Sequence, residues 1–211
     1  MSTRAAGCPE CGAPVTFRWS SSVQTVCEYC KSILVRSDLD LKKVGKVADL
    51  PADSSPIQIG TDGIFDKESF SVVGRIIYEY GLGTWNEWHL ITSRGASRWL
   101  SDAQNVFMVS SAAVNQPIPS IAARQLGAQF TWNRIPYIVS TITDAHYKGV
   151  EGELPFEYWD KTDVRFIDLR SDSGEFATID YSDEQPTLYL GKVADYDELH
   201  LKNVRTFEGW S

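Results

Sequence analysis

Four cysteines make up the chain's whole complement, and they fall into two matched pairs: Cys8-Pro9-Glu10-Cys11 and Cys27-Glu28-Tyr29-Cys30. Two thiolates two residues apart share one tight knuckle. Two such knuckles joined by a short hairpin bring four soft ligands together in the tetrahedral arrangement that suits zinc. Gly12 follows the first knuckle, where a positive φ is needed for backbone N–H groups to turn toward sulfur. Four thiolates on a divalent ion leave a local charge of about −2, and Arg4, Arg18, Lys31 and Arg36 are close enough in sequence to offset it. With all four positions filled by cysteine, no place is left for a catalytic water. The site reads as a structural staple. A rubredoxin-like iron site and a redox dithiol use similar knuckles and remain alternatives. Direct disulfides within a pair would be strained.

Acid–base ingredients elsewhere are sparse. Glu87 and His89 lie two apart on an expected strand and so share a face, as do Asp144 and His146 beside Tyr147. Such pairs could carry proton transfer or hold a metal, giving an enzyme of unknown reaction. As a strand face beside a tryptophan-rich core they need do neither. No Gly-x-Ser-x-Gly elbow and no phosphate-cradling glycine loop occurs. The stretch Glu151–Asp160 combines acids with Phe156, Tyr158 and Trp159, and aromatic anchors on a polar loop suit contact with a protein partner. A loop folded over its own barrel is the alternative reading.

These residues are carried by 211 positions, 43% apolar and 12% aromatic, with seven tryptophans and nine tyrosines. That composition is globular and favours β structure. No apolar run reaches the length of a membrane helix, so membrane insertion is not expected, though peripheral association with a membrane complex is compatible with it. Reduced or metal-bound thiols without a secretory signal imply the cytoplasm. Charge is uneven. Residues 1–46 carry seven Lys/Arg against four acids, or +3, and the whole chain carries −8, so residues 47–211 carry −11. An acidic body repels phosphate backbones. Nucleic-acid binding through the basic first segment is therefore the minority reading, and no nucleic-acid partner is expected.

Hydrophobic alternation predicts an all-β chain: a zinc ribbon over residues 1–36, a linker over 37–58 containing Pro51 and Pro56, and an all-β domain over 59–211. Within that domain, strands are expected at Phe70–Tyr80, Trp85–Ile91, Ser97–Leu100 and Asn105–Val109, then from Gln129 to Thr143, Val164–Leu169, Glu175–Tyr181 and Thr187–Gly191. Gly95 and Gly174 mark hairpin turns, and Trp88, Leu90 and Leu169 belong to the core. Ser120 can cap a short helix ending at Gly127. Shifting the chain by 79 positions superposes Trp85 on Val164, Leu90 on Leu169, Gly95 on Gly174 and Leu100 on Ile179. The domain thus reads as two related meanders, 59–115 and 116–211, each like an SH3-type half-barrel, with Glu151–Asp160 inserted in the second.

From Ile59 to about Gly191 the chain resembles a bacterial family known as domain of unknown function 4178. The residues that carry the resemblance are Gly60-Thr61-Asp62-Gly63, Phe70-x-Val72-x-Gly74-Arg75-Ile76-x-Tyr78, Trp85-x-Glu87-Trp88-x-Leu90 and Trp99-Leu100. Later come Gly152-Glu153-Leu154-Pro155 and Ile167-Asp168-Leu169-Arg170. A cysteine-pair module ahead of such a domain also fits. The resemblance implies no established activity. It implies a bacterial cytoplasmic accessory protein, in a group that accompanies membrane-remodelling coat proteins, small membrane proteins and polyamine-synthesis enzymes. The function expected is a non-enzymatic binding or scaffold protein that acts through protein partners.

Overall fold

A computed structural model describes residues 5–37, 40–47, 50, 54–104, 106–120, 125–159 and 163–207. It is almost entirely β. The cysteine module contains β1 (Ala5–Gly7) paired with β2 (Pro14–Thr16), then β3 (Gln24–Val26), β4 (Ser32–Ser37) and β5 (Asp40–Lys46), which form an antiparallel three-stranded sheet. The ribbon's sheet therefore runs on to Lys46, the tenth residue of the stretch read as linker. Ile57, near that stretch's end, is fully buried against the barrel.

The first meander is β6 (Asp62–Phe65), β7 (Glu68–Tyr80), β8 (Gly83–Thr92), β9 (Ser97–Ala103) and β10 (Val106–Ala112). The second is β11 (Gln129–Trp132), β12 (Ile135–Leu154), β13 (Asp163–Arg170), β14 (Glu175–Asp180) and β15 (Thr187–Ala194), followed by a single 3-10 turn, Tyr196–Leu199. The helix expected after Ser120 falls mostly on residues 121–124, outside the described ones.

The pairings close a ring. Strands β7 to β10 follow one another, β10 pairs with β15, and β15, β14, β13 and β12 return in order. β12 then pairs with β7, closing eight antiparallel strands into a barrel. The two meanders thus form the two halves of one barrel. They join edge to edge, each supplying four strands in the same order, and removing both sheet edges is what closure achieves.

β12 serves two neighbours in series. Residues 138–146 pair with β13 and residues 146–152 with β7, the two ladders sharing His146. Register explains why. Glu87 pairs with Ile76, while Phe166, 79 positions beyond Glu87, pairs with Thr143, which is 67 beyond Ile76. The 12-residue difference is extra chain in the second meander, where the insertion was expected. Its first residues are the ones that pair with β7.

The ring's inner and outer faces follow from alternation. Ile76, Tyr78, Glu87, Ser101, Ser110, Phe166, Thr178, Asp180 and Tyr189 line one small cavity and come from seven strands of the ring, which identifies the lumen. Trp88, Leu90 and Leu100 point the other way, fully buried beneath Ile57 and Leu199. Leu169, Ala177 and Ile179 are buried likewise under Trp132 and Tyr137 of the β11–β12 hairpin. The expected core residues are therefore core, in layers outside the ring. Gly95 and Gly174 occupy the two equivalent hairpin turns with φ of 81° and 82°.

Where β12 bends across β7, the backbones approach too closely for side chains. A Cβ on Gly74 would lie 2.0 Å from the Glu153 carbonyl oxygen, and one on Gly152, whose φ is +64°, would lie 2.2 Å from that of Val73. Gly95 has the same left-handed backbone but open space around it. Gly95→Ala is expected to cost about 1–2 kcal/mol from its φ alone. Gly152→Ala is expected to cost clearly more, because the crossing strands must separate. Comparative chemical denaturation checks this, and equal costs would show the crossing to be slack.

Candidate metal centre and the ribbon–barrel junction

The two knuckles are built alike. In the first, the Gly12 N–H donates to the Cys8 carbonyl (2.8 Å) and the Cys8 N–H to the Ala13 carbonyl (2.8 Å). In the second, the Lys31 N–H donates to Cys27 (3.0 Å) and the Cys27 N–H to Ser32 (2.9 Å). Gly12 and Lys31 both hold a positive φ, 74° and 60°, so a lysine accepts in the second knuckle what a glycine provides in the first.

The four Sγ atoms lie within 4.8 Å of one another. Cys8 and Cys30 are 3.7 Å apart and Cys11 and Cys27 3.8 Å. A tetrahedral ion with metal–sulfur bonds of about 2.3 Å separates its ligands by roughly 3.8 Å, so the donor set fits such an ion. Around it Cys8, Val15, Phe17, Cys27 and Leu34 form one small buried cluster with Cys30 and Leu41 packed on it, a core smaller than a segment of this size needs to fold unaided. Metal binding here would supply folding free energy.

A buried carboxylate joins this module to the barrel. Glu153, only 3% exposed, accepts hydrogen bonds from the Arg18 N–H (2.6 Å), the Trp19 N–H (3.1 Å) and the Ser22 hydroxyl (2.5 Å). Its backbone pairs with Thr25 of β3, and Leu154 pairs with Gln24. The Gln24 side chain then behaves like a further peptide unit. Its Nε2 donates to the Tyr158 carbonyl (3.0 Å) and its Oε1 accepts from the Tyr158 N–H (2.8 Å). The sequence reading placed Glu153 only among the acids of the Glu151–Asp160 loop and passed over Gln24. The available signal was the run Gly152-Glu153-Leu154-Pro155, a charge directly after an obligatory glycine.

The aromatic side chains of the insertion are turned inward. Tyr158 is 2% exposed, and its hydroxyl meets that of Tyr78 at 2.7 Å. Phe156 stacks on Trp99 with ring centres 5.7 Å apart, and Trp159 packs on the same cluster. Of the three expected anchors, Tyr158 is buried and Phe156 and Trp159 are half-buried, in a segment that straps the mouth of the lumen, where packing the rings together is favoured over leaving them in water. Asp160 lies outside the described residues.

The acid–base candidates do not converge. Glu87 faces the lumen, accepting from Trp85 Nε1 (3.0 Å) and the Ser101 hydroxyl (2.7 Å). His89 is completely buried. It donates through Nδ1 to the Glu153 carbonyl (2.8 Å), which fixes its tautomer, so Nε2 accepts from Ser97 (2.9 Å). Burial pushes its pKa down to about 4, leaving the ring neutral. Asp144 and His146 sit at the surface, held by Arg165 and Asp163 respectively. The basic residues are likewise divided. Arg36 lies over the Phe17 ring and donates to the Ser20 carbonyl, while Arg18 faces Glu28 at 3.9 Å.

A concave surface arises from the junction itself. β3 and β12 pair over only two residues and then splay, leaving a cleft of ≈ 510 Å³. Val26, Tyr29 and Lys31 line it on the ribbon side, and Val73, Val150 and Glu151 on the barrel side. Tyr29, on the second knuckle, is 70% exposed. The lumen cavity is far smaller, ≈ 30 Å³, room for a water or two.

Fold and site together define a four-cysteine module docked on a closed antiparallel barrel. The model of the family described as a domain of unknown function (DUF4178) matches residues 58–195, and the chain belongs to that family. No curated protein and no solved structure is significantly similar to it. No described helix is long and apolar enough to cross a membrane.

Burial raises the Glu87 carboxyl to about 8, and burial raises Asp168 as well. A carboxyl whose folded pKa lies above its unfolded value binds its proton more tightly when folded, so stability falls as pH rises from about 4.5 toward 8. Glu87→Gln keeps an oxygen to accept from Trp85 and offers an amide N–H to the Ser101 hydroxyl, but cannot ionise. Its melting temperature relative to the natural protein is expected to climb between pH 5 and pH 8 and to level off above that. A constant difference across that range would place the titration elsewhere.

Proposed function

We propose that this chain is a non-enzymatic binding protein that acts through protein partners, with a structural zinc ion held by Cys8, Cys11, Cys27 and Cys30. The observation that carries the partner surface is the cleft where ribbon and barrel splay, with Tyr29 exposed at its rim beside Lys31. Tyrosine is a favoured anchor at protein interfaces because a large rigid ring is immobilised at small entropic cost. Glu87, His89, Asp144 and His146 are separated, and two of them are neutral at pH 7, which weighs against the enzyme reading. The body's −11 charge and the internal use of Arg36 weigh against nucleic acid. The accessory role in a bacterial membrane-associated or polyamine-related system, and the cytoplasmic setting, are parts of the same reading. They rest on the family resemblance and on the reduced thiols.

Two measurements test it. Elemental analysis of the purified protein is expected to find one zinc per chain, lost in Cys27→Ser while the barrel stays folded; iron, or no metal, would overturn the assignment. Affinity capture from the native cell is expected to recover a partner with the natural chain. Tyr29→Ser with Lys31→Glu should lose it at unchanged melting temperature, since removing one anchor costs about 2 kcal/mol, roughly 30-fold in Kd. Undiminished recovery would remove the cleft from consideration. Salt-dependent micromolar binding of DNA or RNA in a gel shift would favour the nucleic-acid reading.

A further inference from the structure

The strap across the lumen mouth is held from both sides: its side chains pack on the barrel, with Trp159 also lying against Gly45 of β5, and its backbone is bonded to the ribbon. Phe156 lines the lumen cavity, and the Tyr158 ring packs edge-on against Tyr78 and Tyr147. The backbone anchors run the other way. Leu154 pairs with Gln24, its carbonyl accepts from the Val23 N–H (3.0 Å), and Tyr158 is clamped at both N–H and C=O by the Gln24 amide. Gln24 has no freedom of its own. It is buried in β3, three residues before Cys27, the first cysteine of the second knuckle.

From this we propose that the metal centre holds the strap shut. Metal occupancy fixes β3, β3 presents the Gln24 amide, and the amide holds residues 154–159 in the mouth of the barrel. Loss of the metal frees the strap and uncovers Phe156, Tyr158 and Trp159 while β13–β15 remain folded. Side-chain contacts alone do not retain it, because once the clamp is gone the strap's peptide groups have water as their replacement partner. The four-cysteine module is then a latch on the lumen, and any condition that strips the metal opens it. The inference rests on the donor-set geometry and does not require the partner surface proposed above.

Hydrogen exchange on the full chain, read by mass spectrometry, tests it with four samples: zinc-loaded, chelator-treated, Gln24→Leu loaded with zinc, and Tyr158→Phe loaded with zinc. Chelation is expected to accelerate exchange of residues 154–159 by roughly tenfold or more, with residues 176–179 of β14 unchanged. Gln24→Leu should give the same acceleration with zinc still bound. Tyr158→Phe, which removes only the hydroxyl contacts, should match the natural protein. The proposal is overturned if chelation opens the ribbon amides and leaves 154–159 protected, or if it unfolds β14 together with the strap. It is equally overturned if Tyr158→Phe frees the strap as fully as Gln24→Leu, since the barrel would then be what holds it. Should Gln24→Leu not fold, the chelation and Tyr158→Phe samples decide.

Discussion

The contact on which the rest depends is the crossing of two backbones at Gly74 and Gly152. A ring of antiparallel strands closes only when its two last edges meet, and here the edges to be joined belong to β7 and β13. One strand does this by serving them in turn, β13 first and β7 second. To pass from one to the other it bends sharply, and the bend brings peptide groups nearer than any side chain would permit. Two glycines make that approach possible. The residue after the second of them is Glu153, so the same bend that closes the barrel also delivers the carboxylate on which the ribbon docks.

That docking uses polar chemistry in a dry place. A buried carboxylate is costly unless its oxygens are satisfied, and Glu153 has two peptide N–H groups and a hydroxyl for them. No lysine or arginine side chain is needed, since three oriented dipoles replace the water that was lost. Glu87 has two donors, but its burial in the lumen, with Asp168 and Asp180 adding to the effect, makes its carboxyl hold a proton.

Much of the architecture was legible because it obeys short-range rules. The cysteine spacing encoded a tetrahedral donor set, alternation encoded the strands, and Gly95 and Gly174 encoded equivalent turns. The 79-residue offset located two meanders of equal strand order. Closure was not legible. Nothing in a strand's own pattern says that half of it will pair on one side and half on the other, and β12 reads as an ordinary strand followed by a loop. For the same reason Phe156, Tyr158 and Trp159 looked like surface anchors. Their composition, rings among acids, is that of an exposed loop, and only the path of the chain after Gly152 carries them into the barrel mouth. Gln24 shows the limit most plainly: a single amide substituting for a length of strand has no periodicity to detect.

The order of strands around the ring has a consequence for how the chain reaches it. Within each meander every partner is a near neighbour in sequence, so hairpins can form early and independently. The two seams are different: β10 meets β15 with Phe107 opposite Ala194, 87 residues on, and β7 meets β12 with Ile76 opposite Val150, 74 residues on. Until both seams form, each meander is an open sheet whose seam edges are unpaired. A seam makes no distinction between a meander from its own chain and the same meander from another, because the hydrogen bonds and register are identical. Two chains can therefore exchange halves and complete two rings between them, with the connection from β10 to β11 as the hinge. Whether a newly made chain closes on itself is then a matter of effective concentration across that connection, set by its length and stiffness and opposed by the concentration of other unfinished chains.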